Sequence, residues 1–392
     1  MNPLVSFLSF CFFSLTLFPS ITTATSLPPS PSPSVSTTTT LGVTYTSPPP
    51  LSPSSTPSLP ADRVLSALSS LNIHSLRLPN PDPNLIRSFA FTNTSLFLSI
   101  PNSLLPPLAA NRSLAARWLY GHVLPFYPRS KISLISVGDD AVSQLSPFLL
   151  PAIRNVYLAL RDLGIKKISV STTFSFVNVI TTPFPPSSGT FQEPLGELLI
   201  KPLLQFLEDT NSSFLVNLYP YNLYRINSEI PLGFALFQEH PFNFRDDLIT
   251  GVRYWNLFDM MVDAVVSALA VAGHENLPVI VAETGWPSTG GDQTEVDAKL
   301  EYAEMYIRGL VGHLRSGVGT PLRKEGVSQA YIFELIDKDN VKQGTRSWGI
   351  LYANMSKKYH VEFSGCGGSG VGRVLSMRVC LVWWLLAGFF LV

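Results

Sequence analysis

The sequence predicts an α/β protein, a single-domain (β/α)8 TIM barrel. Three observations carry that expectation. Eight short, apolar, β-rich runs recur between residues 41 and 335. Segments with helical spacing separate them, and alternation of this kind implies a parallel sheet with helical crossovers. No glycine-rich phosphate loop follows any of the runs, so the open nucleotide-binding folds lose their main support. Eight repeats with apolar strands throughout favour closure into a barrel.

In chain order, the strand-like runs are 41–45, 75–78, 96–100, 132–137, 167–171, 214–218, 279–282 and 330–335. Each is bounded by polar or Pro-containing stretches. The helical stretches include 61–71, where Val64, Leu65, Leu68 and Leu71 share one face. Residues 151–163 and 195–207 repeat that spacing, and 257–271 forms a long apolar helix.

The ends read differently. Residues 1–25 have an apolar centre followed by small polar residues, the shape of a secretory signal peptide. Residues 26–40 form a Pro/Ser/Thr-rich tract. The chain closes on VCLVWWLLAGFFLV (379–392), 14 residues, short of the roughly 20 needed to span a bilayer as a helix. Upstream lie Arg373 and Arg378 and the small-residue cluster SGCGGSG (364–370). Small residues, a spacer and an apolar tail make a glycosylphosphatidylinositol (GPI) attachment signal over 363–392, with Ser364 or Gly365 as the attachment site. The folded domain is then 41–362, carried to the cell surface and held on the outer leaflet.

Composition narrows the partners. The chain has 392 residues with 27 basic and 27 acidic side chains, which argues against nucleic acid as a partner. At 46% hydrophobic and 14% charged, it is not a disordered chain. The three cysteines, Cys11, Cys366 and Cys380, fall in the two processed ends, so the folded domain has neither a disulfide nor a cysteine metal site. The six histidines show no ligand spacing, and no metal or other cofactor is expected. The domain is expected to be a monomer. Sequons stand at Asn93, Asn111, Asn211 and Asn354.

In such a barrel, catalytic groups lie at the C-terminal ends of strands. The fourth run ends SVGDD (136–140) and the seventh ends VAETGWPS (281–288). An acid on one strand end facing an acid on another is the two-carboxylate arrangement of glycoside hydrolysis. Trp286, Tyr219, Tyr221 and Tyr224 suit a sugar-stacking cleft, because aromatic faces pack on the apolar faces of pyranose rings.

These residues carry a resemblance. From about residue 41 to 359 the chain resembles the plant β-1,3-glucanases of glycoside hydrolase family 17. VAETGWPS (281–288) is similar to the family's nucleophile motif. VLPFYP (123–128), VNLYPY (216–221), ALFQ (235–238), YWNLFD (254–259) and WGILY (348–352) follow in the family's order. The end signals resemble its GPI-anchored branch. The resemblance implies retaining hydrolysis of a β-1,3-linked glucan such as callose. Glu283 would be the nucleophile and Asp140 the acid/base. Asp139, Asn217, Tyr219, Trp286 and Lys338 would bind substrate.

The sequence also departs from the family. Its Val-Gly-Asn-Glu is Val137-Gly138-Asp139-Asp140 here, so the acid/base carboxyl sits one methylene short. An acceptor-only carboxylate replaces an amide at 139. Pro79-Asn80-Pro81-Asp82 stands where the family has Tyr-Asp-Ala-Asp, and Lys338 replaces an acid. Thr44 and Thr46 replace Asn and Gly. Three functions therefore compete: a surface-anchored endo-β-1,3-glucanase, a barrel that holds glucan and cleaves it weakly or not at all, and a transglycosylase that remodels glucan through the same first half-reaction.

Overall fold

The computed structural model describes residues 39–47, 60–144, 146–240, 242–338 and 344–363. The signal peptide, most of the Pro/Ser/Thr tract and all of the GPI signal but Phe363 lie outside the described residues. Among the described residues no helix is long and apolar enough to cross a membrane.

Eight strands close the barrel: β1 (Thr40–Thr44), β2 (Ser75–Leu78), β3 (Ser95–Ile100), β4 (Lys131–Asp139), β5 (Ser169–Ser175), β6 (Phe214–Asn217), β7 (Val279–Thr284) and β8 (Gln329–Ile332). Every neighbouring pair is parallel, and β8 closes on β1 with Val43 beside Ile332. Each strand overlaps an expected apolar run. The ends shift most at β5, which runs on to Ser175, and at β8, which stops at Ile332; β4 runs on to Asp139.

The barrel interior is filled by Phe97, Leu134, Leu215, Ile280, Ala282 and Tyr331. Tyr331 leans against β1 at Gly42, where a Cβ would lie 2.5 Å from its ring. A side chain at that position has no room, so Gly42 is required by the close approach. A second, larger core fills the space between strands and helices.

The helices are α1 (Ala61–Leu71), α2 (Pro83–Ser88), α3 (Leu105–Ala110), α4 (Arg112–His122), α5 (Ser146–Asp162), α6 (Lys201–Asp209), α7 (Leu257–Val271) and α8 (Leu300–Ser316). α1 buries Val64, Ala67, Leu68 and Leu71, and stops at Asn72 in the left-handed conformation, φ 53°. α7 starts at Asn256, whose side chain accepts the Asp259 N–H at 2.8 Å. The boundaries of α1 and α7 match the expected ones. The helix expected over 195–207 instead begins as a wide π-type turn at Gly196–Ile200 before α6. Pro202 explains this, because it offers no N–H and its ring crowds the preceding turn. α5 begins at Ser146 and takes Pro151 inside it. Short helical turns at Phe176–Val179 and Pro220–Ile226 sit just past the ends of β5 and β6. The four sequon asparagines are all exposed.

Candidate active site

The site begins with one charge in an unexpected place. Arg77 lies within the four-residue strand β2 and is fully buried. A buried guanidinium requires anionic partners. It has two: Nη1 donates to Glu283 Oε1 on β7, and Nη2 donates to Asp139 Oδ2 on β4 at 2.9 Å. Burial works against the Arg77 charge, but Glu283 and Asp139 outweigh it and raise its pKa. Its ring-side neighbour is Phe97, 5.3 Å from guanidinium carbon to centroid.

Both acids stand at irregularities of the sheet. The β7–β6 register slips between Val281 and Glu283, which brings Glu283 beside Asn217. The β4–β5 register slips between Ser136 and Asp139, which comes beside Thr173. Such slips re-aim side chains that strict alternation would send elsewhere.

Glu283 is held at both oxygens. Besides Arg77, the Tyr219 hydroxyl donates to Oε2 at 2.5 Å. Burial and then the Glu283 charge push the Tyr219 phenol well above its ordinary value, so it keeps its proton and remains a donor. The Tyr219 ring is edged by Trp348 and Phe333, with centroids 5.2 and 6.2 Å away. These two rings line a cleft of about 850 Å³, with Glu334, Asp337 and Lys338 on the same wall.

Asp139 is held as firmly. Asn217 Nδ2 donates to its Oδ1 at 3.0 Å. Asn102 clamps its backbone from both sides, accepting the Asp139 N–H and donating to its C=O, each at 2.8 Å. The close fit of Asn102 and Leu105 over Gly138, which has φ +79°, fits glycine there. Burial raises the Asp139 pKa, Arg77 pulls it back, and the net direction is up.

Asp140 differs from expectation. Its backbone is left-handed, φ 52°. Its carboxylate accepts the Ser175 N–H at 2.9 Å and Asn178 Nδ2 at 2.5 Å. It thus closes the end of β5 onto the following helical turn. The carboxylate that shares a partner with Glu283 is Asp139, not Asp140.

Trp286 also needs correction. It is 1% exposed, donates Nε1–H to the Asp297 carbonyl at 2.9 Å, and packs against Tyr221, Tyr224 and Tyr306. Tyr221 and Tyr224 donate to Glu295 and Asp297. This aromatic cluster supports the loop after β7, and Trp286 within it offers no ring face to a sugar. The indole that lines the cleft is that of the half-buried Trp348. Arg346 grips Glu295 with two bonds, 2.7 and 2.8 Å, and holds its carboxyl down at about 2. That pair ties the loop after β7 to the loop after β8.

The residues that sequence inspection passed over are Arg77, Asn102, Glu334 and Trp348. Arg77 had a signal, a lone charge inside the apolar run SLRL. Glu334 had a similar one inside YIFELI. Among the described residues no group of His, Cys, Asp or Glu has the arrangement to hold a metal ion.

Glu334 is 5% exposed just beyond β8. Burial raises its carboxyl to about 7; Lys338 opposes the shift, while Glu283 and Asp337 add to it. A raised carboxyl favours folding while it stays protonated, and its ionisation destabilises the fold as pH rises from about 4.5 through about 7. Glu334→Gln is therefore expected to gain stability over the parent on going from pH 5 to pH 8, by on the order of 3 kcal/mol. Urea unfolding at the two pH values measures it; a difference that does not change with pH would contradict the burial of this acid.

The model of the glycosyl hydrolases family 17 matches residues 54–363. Glucan endo-1,3-beta-glucosidase 2 of Arabidopsis thaliana is 38% identical over 326 residues, 81% of this chain and 64% of its own. Glucan endo-1,3-beta-glucosidase 7 of the same plant is 39% identical over 334 residues, 82% of this chain and 65% of its own. The chain thus spans just under two thirds of the length of these relatives. Among solved structures, CJP38, a beta-1,3-glucanase and allergen of Cryptomeria japonica pollen, superposes with a TM-score of 0.75 at 33% identity. That match covers 83% of this chain and 99% of the other. The family model spans the barrel from before α1 to the last described residue, and with it Arg77, Asp139, Tyr219 and Glu283. The chain belongs to the glycosyl hydrolases family 17.

Proposed function

We propose that this protein is a retaining endo-hydrolase of β-1,3-linked glucan of the callose type, with Glu283 as nucleophile. The observation that carries this is the pair of carboxylates on opposite strand ends, Glu283 and Asp139, joined through one buried arginine. The names of the relatives supply the substrate class. In the first half of the reaction a Glu283 oxygen bonds to the anomeric carbon as the bond to the leaving sugar oxygen breaks. A second carboxyl on β4 protonates that oxygen. In the second half the same group takes a proton from water, and the water oxygen displaces Glu283. Arg77 and Tyr219 hold the nucleophile in one orientation, so little of its freedom is left to lose on reaching the transition state. Trp348 and Phe333 supply the apolar wall for sugar rings. Asn217 and Lys338 offer polar groups to sugar hydroxyls.

A secretory leader and a GPI signal would place the enzyme, as a monomer, on the outer leaflet facing the cell wall. A second reading, a glucan-binding barrel with weak turnover, is favoured by one observation. The residue at the family's acid/base position, Asp140, is engaged with Ser175 and Asn178.

The test incubates the purified protein with linear β-1,3-glucan and, separately, with β-1,4-glucan. New reducing ends are expected only from the first, and NMR of the fresh product should show the β-anomer before mutarotation. Binding without new reducing ends would support the second reading. Neither binding nor cleavage would remove β-1,3-glucan as the ligand.

A further inference from the structure

We propose that Asp139, rather than its neighbour Asp140, is the carboxyl that gives up and takes back the proton. The inference rests on the retaining-hydrolase function above and deepens it.

The geometry comes first. Glu283 and Asp139 occupy the two terminal nitrogens of a single guanidinium. One planar fork bridges them, so the carboxyls are neighbours, as retaining catalysis at about 5–5.5 Å requires. Asp140 makes its bonds instead to the β5 end. Exposure separates Asp139 from Glu283, while Asp140 is half-buried like Asp139. The Arg77 side chain is 0% exposed and that of Glu283 11%, while that of Asp139 is 39% exposed. Of the two acids on Arg77, Asp139 is the more open to solvent, as a group that must reach a leaving oxygen has to be.

Charge decides where the proton rests. Arg77 supplies one positive charge against two carboxylates, so one proton neutralises the trio. Tyr219 and Arg77 each donate to a Glu283 oxygen, which keeps both oxygens as acceptors. The proton is left to Asp139. The charged and titratable groups facing it are Arg77 from β2, Glu283 from β7 and Tyr219 beyond β6, and burial tips the balance towards the acid form. Asn217 suits both states. Its Nδ2 now donates to Asp139 Oδ1, while its own Oδ1 has no partner among the described protein atoms. A half-turn of the carboxamide presents that oxygen to accept from a protonated Asp139. Asn102 fixes the backbone at both ends of the residue, so the carboxyl is aimed before substrate arrives.

The Asp139 proton moves to the glycosidic oxygen as its bond to the anomeric carbon breaks and the Glu283 oxygen bonds to that carbon. Asp139, now a carboxylate, later removes a proton from water as the water oxygen bonds to the same carbon and Glu283 departs. Both carboxyls then regain their starting states.

The experiment compares two substrates. One is linear β-1,3-glucan, whose leaving oxygen needs a proton. The other is the 2,4-dinitrophenyl β-glycoside of a β-1,3-linked glucose disaccharide, whose leaving group does not. Asp139→Ala is expected to lose about 10²–10⁴-fold in kcat/KM on glucan. It should keep the first-step burst on the dinitrophenyl glycoside, and added azide should restore turnover and yield the β-glycosyl azide. Asp139→Asn keeps the residue's shape and serves if the alanine variant does not fold; it should lose the alkaline limb of the pH profile. Asp140→Asn should show neither azide rescue nor loss of that limb. If those signatures appear in the Asp140 variant instead, the assignment is overturned. Equal loss on both substrates in the Asp139 variants would also overturn it, leaving Asp139 a positioning residue. A parent protein that cleaves neither substrate would sink the hydrolase function, and the proton role with it.

Discussion

Glu283→Gln is expected to lower kcat on linear β-1,3-glucan by at least about 10⁴-fold, with the fold intact and glucan still bound. An amide cannot form the glycosyl ester, so the first half-reaction has no nucleophile. The fold should survive because glutamine fits the same space. Its carbonyl oxygen can take the Arg77 bond, and its NH2 can donate to the Tyr219 hydroxyl, which accepts as readily as it donates. Reducing-end assays give the rate, and thermal unfolding and a glucan-binding isotherm give the controls. Residual activity within about tenfold of the parent would remove Glu283 from the chemistry. The variant also carries an internal signature. Asp139 feels the Glu283 charge as an upward push, so removal of that charge should lower the pKa of Asp139.

Arg77→Met is expected to cost about 3–5 kcal/mol of stability, since removing one partner of a buried ion pair strands the other. Here it strands two. Glu283 is 9% exposed and would face Asp139 with no cation between them. The sign of the pH effect follows. Without the arginine Asp139 loses the cation that pulls its carboxyl down and should titrate higher, so its ionised form destabilises the variant increasingly as pH rises. The deficit should be largest near pH 7 and shrink near pH 4, where protons replace the lost cation. Urea unfolding of parent and variant at both pH values measures it. A deficit that does not change with pH would mean that packing, and not charge, is what Arg77 contributes. Activity should fall in parallel, because Glu283 and Asp139 lose the group that spaces them.

Much of this architecture was legible from residue order. The eight strands could be located because each is buried on both faces and so reads as an unbroken apolar run. α1 and α7 were legible to the residue, and each has a polar residue at one end, Asn72 closing the first and Asn256 opening the second. The stretch expected as helix at 195–207 is helical from Gly196 to Asp209, but the wider turn at its start was not legible, because a periodicity count does not register what one proline does to the turn before it. At the site, the strand ends bearing Glu283 and the Asp139–Asp140 pair could be named from sequence. Which of the two aspartates faces inward could not. Alternation decides such questions only in a regular strand, and left-handed Gly138 and Asp140 with a register slip break it here. Trp286 and Trp348 were likewise indistinguishable in advance. Whether an indole is covered depends on loops packed over it, and that is set by contacts such as Arg346 with Glu295 rather than by local pattern.

The arginine bridge has a consequence for how the molecule comes into being. Arg77 and Glu283 are separated by 206 positions along the chain. Partners so distant meet only after the intervening chain has been drawn together, and such closures come late and slowly. Helices and adjacent strand pairs can form while the two carboxylates are still apart. The reactive constellation is therefore absent from every partial barrel. A growing or refolding chain carries no working site until its circle is complete, and catalytic power should return last, behind every spectroscopic sign of helix and sheet.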